Sequence, residues 1–269
     1  MFFAQKYNGT NTSDTSDPVS SYDYDLSYDP IGNRKTYTDA GDQTDYTANA
    51  LNQYTQISTL TDPQHDLDGN MTLMPSSSGD WDLTWNAENR LVEAVEHTVE
   101  DGSLKLQFTY DYKGRRIQKQ VYAWDAASDL WSLTSDLRYV YNGWNVIYKR
   151  STKNNARSTV KTYPWGIDLS GNLQGAGGVG GLLSVTNNKA QGTRNTYYVT
   201  YDANGNVSEY IDSSGTTVAH YEYSPFGKLT VTDGSMAADF NHRFSTKYRD
   251  SETGLYYYGY RYFPSEFGR

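Results

Sequence analysis

The stretch that decides the fold runs Leu104-Lys105-Leu106-Gln107-Phe108-Thr109-Tyr110, then Asp111-Tyr112-Lys113-Gly114, then Arg116-Ile117-Gln118-Lys119-Gln120-Val121-Tyr122. Both flanks alternate apolar and polar residues, the period-two pattern of half-buried strands. Between them, Asp111 accepts hydrogen bonds from backbone N–H groups further along, and Gly114 supplies a positive φ without a Cβ clash. Strand, turn and strand together make a β-hairpin.

The same D-x-x-G element recurs at Asp29-Gly32, Asp66-Gly69, Asp168-Gly171, Asp202-Gly205 and Asp212-Gly215. Asn follows the glycine as Asn33, Asn70, Asn172 and Asn206, and degenerate copies stand at Asn49-Asn52 and Asn86-Asn89. From Asp29 through Asn49, Asp66 and Asn86 to Asp111 the period is loose, about 20 residues, which marks a repeat architecture. Glu88 to Glu100, the best attempt at a helical stripe, is rich in Val and Thr and is expected to be strand. A lone hairpin is marginal in water, so the copies must stack and share a buried face. The expected fold is all-β, with tandem β-hairpins forming a curved or spiralling sheet or a partial hollow shell with unpaired edges.

Composition agrees. Hydrophobic residues make up 36% of the 269 positions, and 26 Tyr, 6 Trp and 8 Phe supply much of the apolar surface. Tyrosine buries a ring while its hydroxyl stays wet or finds a partner, which suits thin sheets. The net charge of −9 argues against nucleic acid as a partner. The absence of cysteine removes disulfides, thiolate nucleophiles and Cys-based zinc sites. No stretch approaches the apolar length of a membrane-spanning helix, and the first residues show no secretory signal.

Tyr28-Asp29-Pro30-Ile31-Gly32-Asn33-Arg34 and Tyr201-Asp202-Ala203-Asn204-Gly205-Asn206-Val207 resemble the YD repeats of the RHS (rearrangement hotspot) family, and Trp85-Asn86-Ala87-Glu88-Asn89-Arg90-Leu91 is similar to a variant of them. Further on come Tyr221-Glu222-Tyr223-Ser224-Pro225-Phe226-Gly227, Phe244, Tyr248, Asp250, Thr253-Gly254-Leu255-Tyr256, Arg261-Tyr262 and Gly268-Arg269. That succession resembles the RHS repeat-associated core domain, and the resemblance covers roughly residues 20–269. It implies a hollow β-shell that encloses a C-terminal toxin or effector, released by aspartyl autoproteolysis, with an extracellular or cell-surface location. Partners implied are such a cargo or further RHS repeats. The family motif runs past the Gly-Arg pair into an Asp-Pro segment that carries the cleavage machinery. No such segment stands in this sequence, and Pro264-Ser265-Glu266 departs from the usual residues around that proline. Self-cleavage is therefore expected to need residues beyond Arg269. Arg261, Arg269 and Asp250 are the nearest matched polar positions, and none is assigned a catalytic role.

The expected organisation is a loose N-terminal arm over 1–20, YD repeats over 21–160 and a core-like region over 161–269. No catalytic, cofactor or metal residue is assigned. Gly175-Ala176-Gly177-Gly178-Val179-Gly180 matches G-x-G-x-x-G, but a β-branched segment follows it, so a turn entering a strand is expected. Asp66-Leu67-Asp68-Gly69-Asn70 resembles the start of a calcium loop, yet Ser77 stands where a bidentate Glu is required. His65, His97, His220 and His242 lack metal-ligand spacing. Tyr256, Tyr258 and Tyr260 are the candidates for a glycan-stacking surface, the alternative being a buried or cross-strand role.

Overall fold

The computed structural model describes residues 2–8, 13–153, 159–188 and 194–268. The chain divides into two compact units, residues 1–85 with 96–98 and residues 86–95 with 99–269. In the described residues, regular structure is antiparallel strand apart from two short 3-10 turns.

The first unit is a meander. Strands β1 (Phe2–Tyr7), β2 (Pro18–Tyr28), β3 (Arg34–Asp39), β4 (Asp42–Ala48) and β5 (Tyr54–Ile57) pair in sequence order. Then β6 (Gln64–His65), β7 (Met71–Met74) and β8 (Trp81–Trp85) pair in turn. The segment 1–20, expected as a loose arm, contains β1, which pairs with β2 from Phe2↔Leu26 to Tyr7↔Pro18. Residues 1 and 9–12 of that segment lie outside the described residues.

The second unit continues the pattern with β9 (Leu91–Glu96), β10 (Leu104–Tyr110), β11 (Arg116–Asp125), β12 (Leu130–Asn142), β13 (Asn145–Lys153) and β14 (Thr159–Thr162). After a long connection come β15 (Ser184–Asn188), β16 (Arg194–Tyr201), β17 (Val207–Ile211), β18 (Thr217–Tyr223) and β19 (Leu229–Asp233). From β9 to β19 each strand is hydrogen-bonded to the next in sequence order. Three two-residue strands close the chain, β20 (Tyr248–Arg249), β21 (Tyr256–Tyr257) and β22 (Tyr262–Phe263), which pair among themselves.

One local device makes the hairpins. Asp111 Oδ1 accepts the N–H groups of Lys113 and Arg115, both at 2.9 Å, while Asp111 N–H donates to the Arg115 carbonyl and Gly114 N–H to the Asp111 carbonyl. Gly114 adopts φ +79°. The strand register slips by one residue beside the turn, between Thr109 and Tyr110, the signature of a type I turn with a glycine bulge. Asp29, Asp66, Asp202 and Asp212 repeat this pattern of bonds. The side chains of Asn33, Asn70 and Asn206 also donate to the other carboxylate oxygen of their turn, as Asn206 does to Asp202 at 2.7 Å. Asn49 and Asn86 do the same work with an amide oxygen. In those copies Asn52 and Asn89 take the left-handed position, which Asn tolerates better than most residues.

Asp168 departs from the expected hairpin. Its turn lies in the connection between β14 and β15, where Trp165 and Leu182 form an isolated bridge. Its carboxylate accepts Ser170 N–H at 2.9 Å, Ala176 N–H at 2.7 Å and Gly178 N–H at 3.0 Å. The G-x-G-x-x-G stretch is thus a loop wound around an internal anion, and it leads into β15 rather than into a helix. Burial would raise the Asp168 pKa, but these hydrogen bonds outweigh it and pull the value down to about 2.

The aromatic residue at the end of a strand has its own task. Trp85 Nε1 donates to the Met71 carbonyl (2.7 Å), Tyr110 Oη to Leu91 (2.6 Å), and Tyr141 Oη to Arg116 (2.7 Å). Trp165 Nε1 donates to Val146 (2.7 Å), Tyr201 Oη to Leu182, and Tyr223 Oη to Val207 (2.7 Å). Each acceptor lies at or beside the start of the preceding strand. The ring covers the neighbouring hairpin and its donor satisfies a carbonyl there, so Tyr or Trp serves where Phe would not.

Candidate docking site of the C-terminal segment

In the second unit the segment after β19 packs on one face of the sheet. Phe240 stacks on Tyr210 with ring centroids 3.8 Å apart and meets Tyr197 edge-on at 5.1 Å. Tyr221 Oη donates to the Ala237 carbonyl (2.6 Å) and Tyr210 Oη to the His242 carbonyl (2.8 Å). Tyr256 Oη reaches the Gly227 carbonyl at 3.2 Å. Leu182, Val207, Tyr210, Tyr221, Phe240 and Tyr248 share the resulting core.

At its centre is a buried ionic cluster. Arg116 and Lys119 project from β11, and Asp250 and Glu252 follow β20. Arg116 Nη1 lies 2.5 Å from Asp250 Oδ2 and Nη2 3.1 Å from Oδ1. Lys119 Nζ donates to Asp250 Oδ1 at 2.9 Å and to Glu252 Oε2 at 2.7 Å. The side chains of Arg116, Lys119 and Asp250 are 1%, 1% and 0% exposed, so two cations and two carboxylates balance almost entirely out of water. Burial alone would raise the Asp250 pKa, but the Arg116 and Lys119 charges outweigh it and hold the carboxyl below its usual range. The Arg116 guanidinium is also within 4.7–5.7 Å of the ring centroids of Phe108, Tyr139, Tyr248, Tyr257 and Tyr262. Such rings add attraction to a desolvated cation. Arg116 N–H donates to Tyr257 Oη at 2.8 Å, and Tyr110 and Tyr262 share a 2.7 Å hydroxyl contact.

Asp250 also shapes its own turn. Its N–H donates to the Leu255 carbonyl and its carbonyl accepts Gly254 N–H, both at 2.9 Å, while Leu255 N–H donates to Thr253 Oγ1 at 3.3 Å. The spacing Asp250-Thr253-Gly254-Leu255 is therefore a tight loop that presents a carboxylate to β11. Nearby, Lys149 Nζ is buried between Asn241 Oδ1 (2.8 Å) and Tyr248 Oη (3.1 Å), and burial pushes its pKa well below the usual lysine value.

Comparison with known proteins decides the family. The model of the RHS Repeat family matches residues 201–235, from the Asp202 turn through β17, β18 and β19. The tRNA nuclease WapA of Bacillus subtilis strain 168 is 34% identical over 250 residues, 91% of this chain and 9% of that protein. The chain belongs to the RHS/YD-repeat family. A family of unknown function (DUF3836) also matches, over residues 88–164. Double-stranded DNA deaminase toxin A of Burkholderia cenocepacia is 25% identical over 197 residues, 70% of this chain and 13% of that one. Among solved structures, the Photorhabdus luminescens Tc holotoxin pore superposes with a TM-score of 0.67 at 19% identity, covering 90% of this chain and 11% of that one. The TcdB2–TccC3 crystal structure gives 0.52 at 18%, over 92% of this chain and 16% of that one. The fold is shared, and this chain spans a small fraction of each relative.

In this RHS/YD-repeat chain the core-motif residues take distinct places. Tyr248, Asp250 and Tyr262 converge on Arg116, and Phe244 packs between Tyr223, Tyr256 and Phe263. Pro225, Phe226 and Gly227 lie in the turn between β18 and β19, where Gly227 N–H donates to the Ser224 carbonyl. Arg261 is exposed and stays outside the cluster, and Gly268 N–H donates to the Pro264 carbonyl at 3.2 Å. Arg269 lies outside the described residues. Of the three tyrosines weighed as a glycan platform, Tyr256 is 0% exposed, which removes it from that surface, while Tyr260 lies exposed against Trp144. Arg116, Lys119 and Lys149 escaped the motif reading. The available signal was Lys119, which pairs with Phe108 in phase with the buried Val121, a cation on an apolar face.

Proposed function

We propose that this chain is a structural wall segment of an RHS-type housing, and that residues 237–268 act as a closure that holds and presents a polypeptide cargo, a toxin or effector. The observation that carries the reading is the Arg116–Asp250–Lys119–Glu252 cluster. Burying four charges is costly and adds little net stability over apolar packing, so its value is geometric: it admits one docked position of the segment. The toxin and nuclease relatives support a cargo of that class. Asp250 serves the dock, because both of its carboxylate oxygens are engaged by Arg116 and Lys119. Self-cleavage, if the full protein performs it, is assigned to residues beyond Arg269. The test is to read the coding sequence downstream of Arg269 and to probe its product, in the native full-length protein, with a protease. A continuation that encodes a compact domain and resists digestion supports the closure; a stop codon, or a continuation digested freely, overturns it.

A further inference from the structure

His242 lies on the same segment, beside but not within the ionic cluster. It is 3% exposed, and its ring meets Tyr163 (4.9 Å), Trp165 (5.6 Å) and Tyr248 (5.6 Å) edge-on. Its Nδ1 is buried and has no hydrogen-bond partner among the described residues. With Trp165, Thr246, Lys247 and Tyr248 the ring lines a cavity of about 50 Å³, room for no more than a few waters. The charges that act on it are all positive: Lys149 from β13, Lys161 from β14 and Lys247 from its own segment. The adjacent Arg243 donates to the Ala237 and Phe240 carbonyls, and the carboxylates of Asp250 and Glu252 are engaged by Arg116 and Lys119. An imidazolium here would meet lysine amines from three directions and no counter-ion among the described residues.

We propose that His242 is an acid-sensitive latch, and that uptake of one proton by its imidazole releases residues 237–268 from the sheet. This deepens the reading of that segment as a docked closure and rests on it. Burial first, then Lys149, Lys247 and Lys161, push the docked imidazole down to about 3 from an ordinary 6.5. The undocked ring therefore binds a proton below pH about 6.5 while the docked ring does not. Docking is at full strength above that pH and weakens by up to about tenfold per unit as the pH falls toward 3. Asp250 has a pKa already below 3.8, so its contribution is lost only in stronger acid. Between pH 6.5 and 4.5 the difference between wild type and a His242→Phe variant isolates the imidazole, since phenylalanine keeps the ring packing and cannot titrate.

The measurement is amide hydrogen exchange of β20–β22 relative to β10–β12 in the whole chain, corrected for intrinsic rates. Exposure of β20–β22 should rise about 50-fold from pH 6.5 to 4.5 in the wild type and change little in H242F. Equal acid responses in the two proteins overturn the latch. A carbon-13 titration of the four wild-type histidines provides a second test that needs no variant. His242 should stay neutral below pH 5 while docked, and protonation near pH 6.5 with β20–β22 still protected overturns the proposal. Protection at every pH would sink the latch and leave the closure standing; unprotected β20–β22 amides at neutral pH would sink the closure itself.

Discussion

At the scale of the residue, Asp250 governs the second unit more than its place in a loop suggests. It is the shared acceptor of Arg116 and Lys119, and neither cation reaches water. Asp250→Asn removes the charge while keeping the shape, so two buried cations are left with Glu252 alone. We expect a loss of about 3–5 kcal/mol, measured by urea unfolding followed at the tryptophans. Glu252 is 17% exposed and, among the described residues, is ion-paired with Lys119 alone, so Glu252→Gln should cost about 1 kcal/mol. A loss as large as that of Asp250→Asn would mean that the cluster is organised around Lys119 instead. The replacement Arg116→Met with Asp250→Leu should be milder than Asp250→Asn alone, because no orphaned guanidinium remains.

At the scale of the element, the hairpin works because a side-chain acceptor, a left-handed residue and a terminal ring act together. Tyr223 Oη satisfies the Val207 carbonyl across the repeat. Tyr223→Phe should cost about 1–3 kcal/mol by leaving that carbonyl unpaired, whereas Tyr198→Phe, at a 54% exposed position, should change stability by less than about 0.5 kcal/mol. Urea midpoints of the two variants make the comparison. The glycines differ in kind. Gly205 and Gly215 both have positive φ, so alanine at either costs about 1–2 kcal/mol in backbone strain. A Cβ at Gly215 meets nothing within 4 Å, but one at Gly205 would lie 2.7 Å from Val179 and 2.9 Å from Leu169. Gly205→Ala should therefore be the more damaging by at least about 1 kcal/mol, and equal thermal midpoints would contradict the packing argument.

At the scale of the whole molecule, two kinds of contact build the second unit. The meander from β9 to β19 joins sequence neighbours, while Arg116 and Asp250 are 134 residues apart. Closing that distance is entropically late, so the segment should dock after the sheet has formed. Asp250→Asn should then raise the unfolding rate and leave the folding rate nearly unchanged, read from both arms of a denaturant chevron. The repeat was legible from the residues alone because its cause is local. Asp111, Gly114 and the alternation on either side act within a few positions, and wherever they recur the chain must fold back. The Asp168 copy misled for the same reason: its turn is local and intact, but its carboxylate reaches on to Ala176 and Gly178, which no spacing rule signals. The docking site was half legible. Asp250, Tyr248 and Tyr262 stood out by their motif, whereas Arg116 and Lys119 looked like ordinary charges on an alternating strand. By itself the sequence determined hairpins, turn chemistry and family, since those follow from short-range bonding and sterics. Tertiary structure alone decided which charges meet without water and which histidine is sealed among lysines, because desolvation and pairing depend on segments brought together from far along the chain.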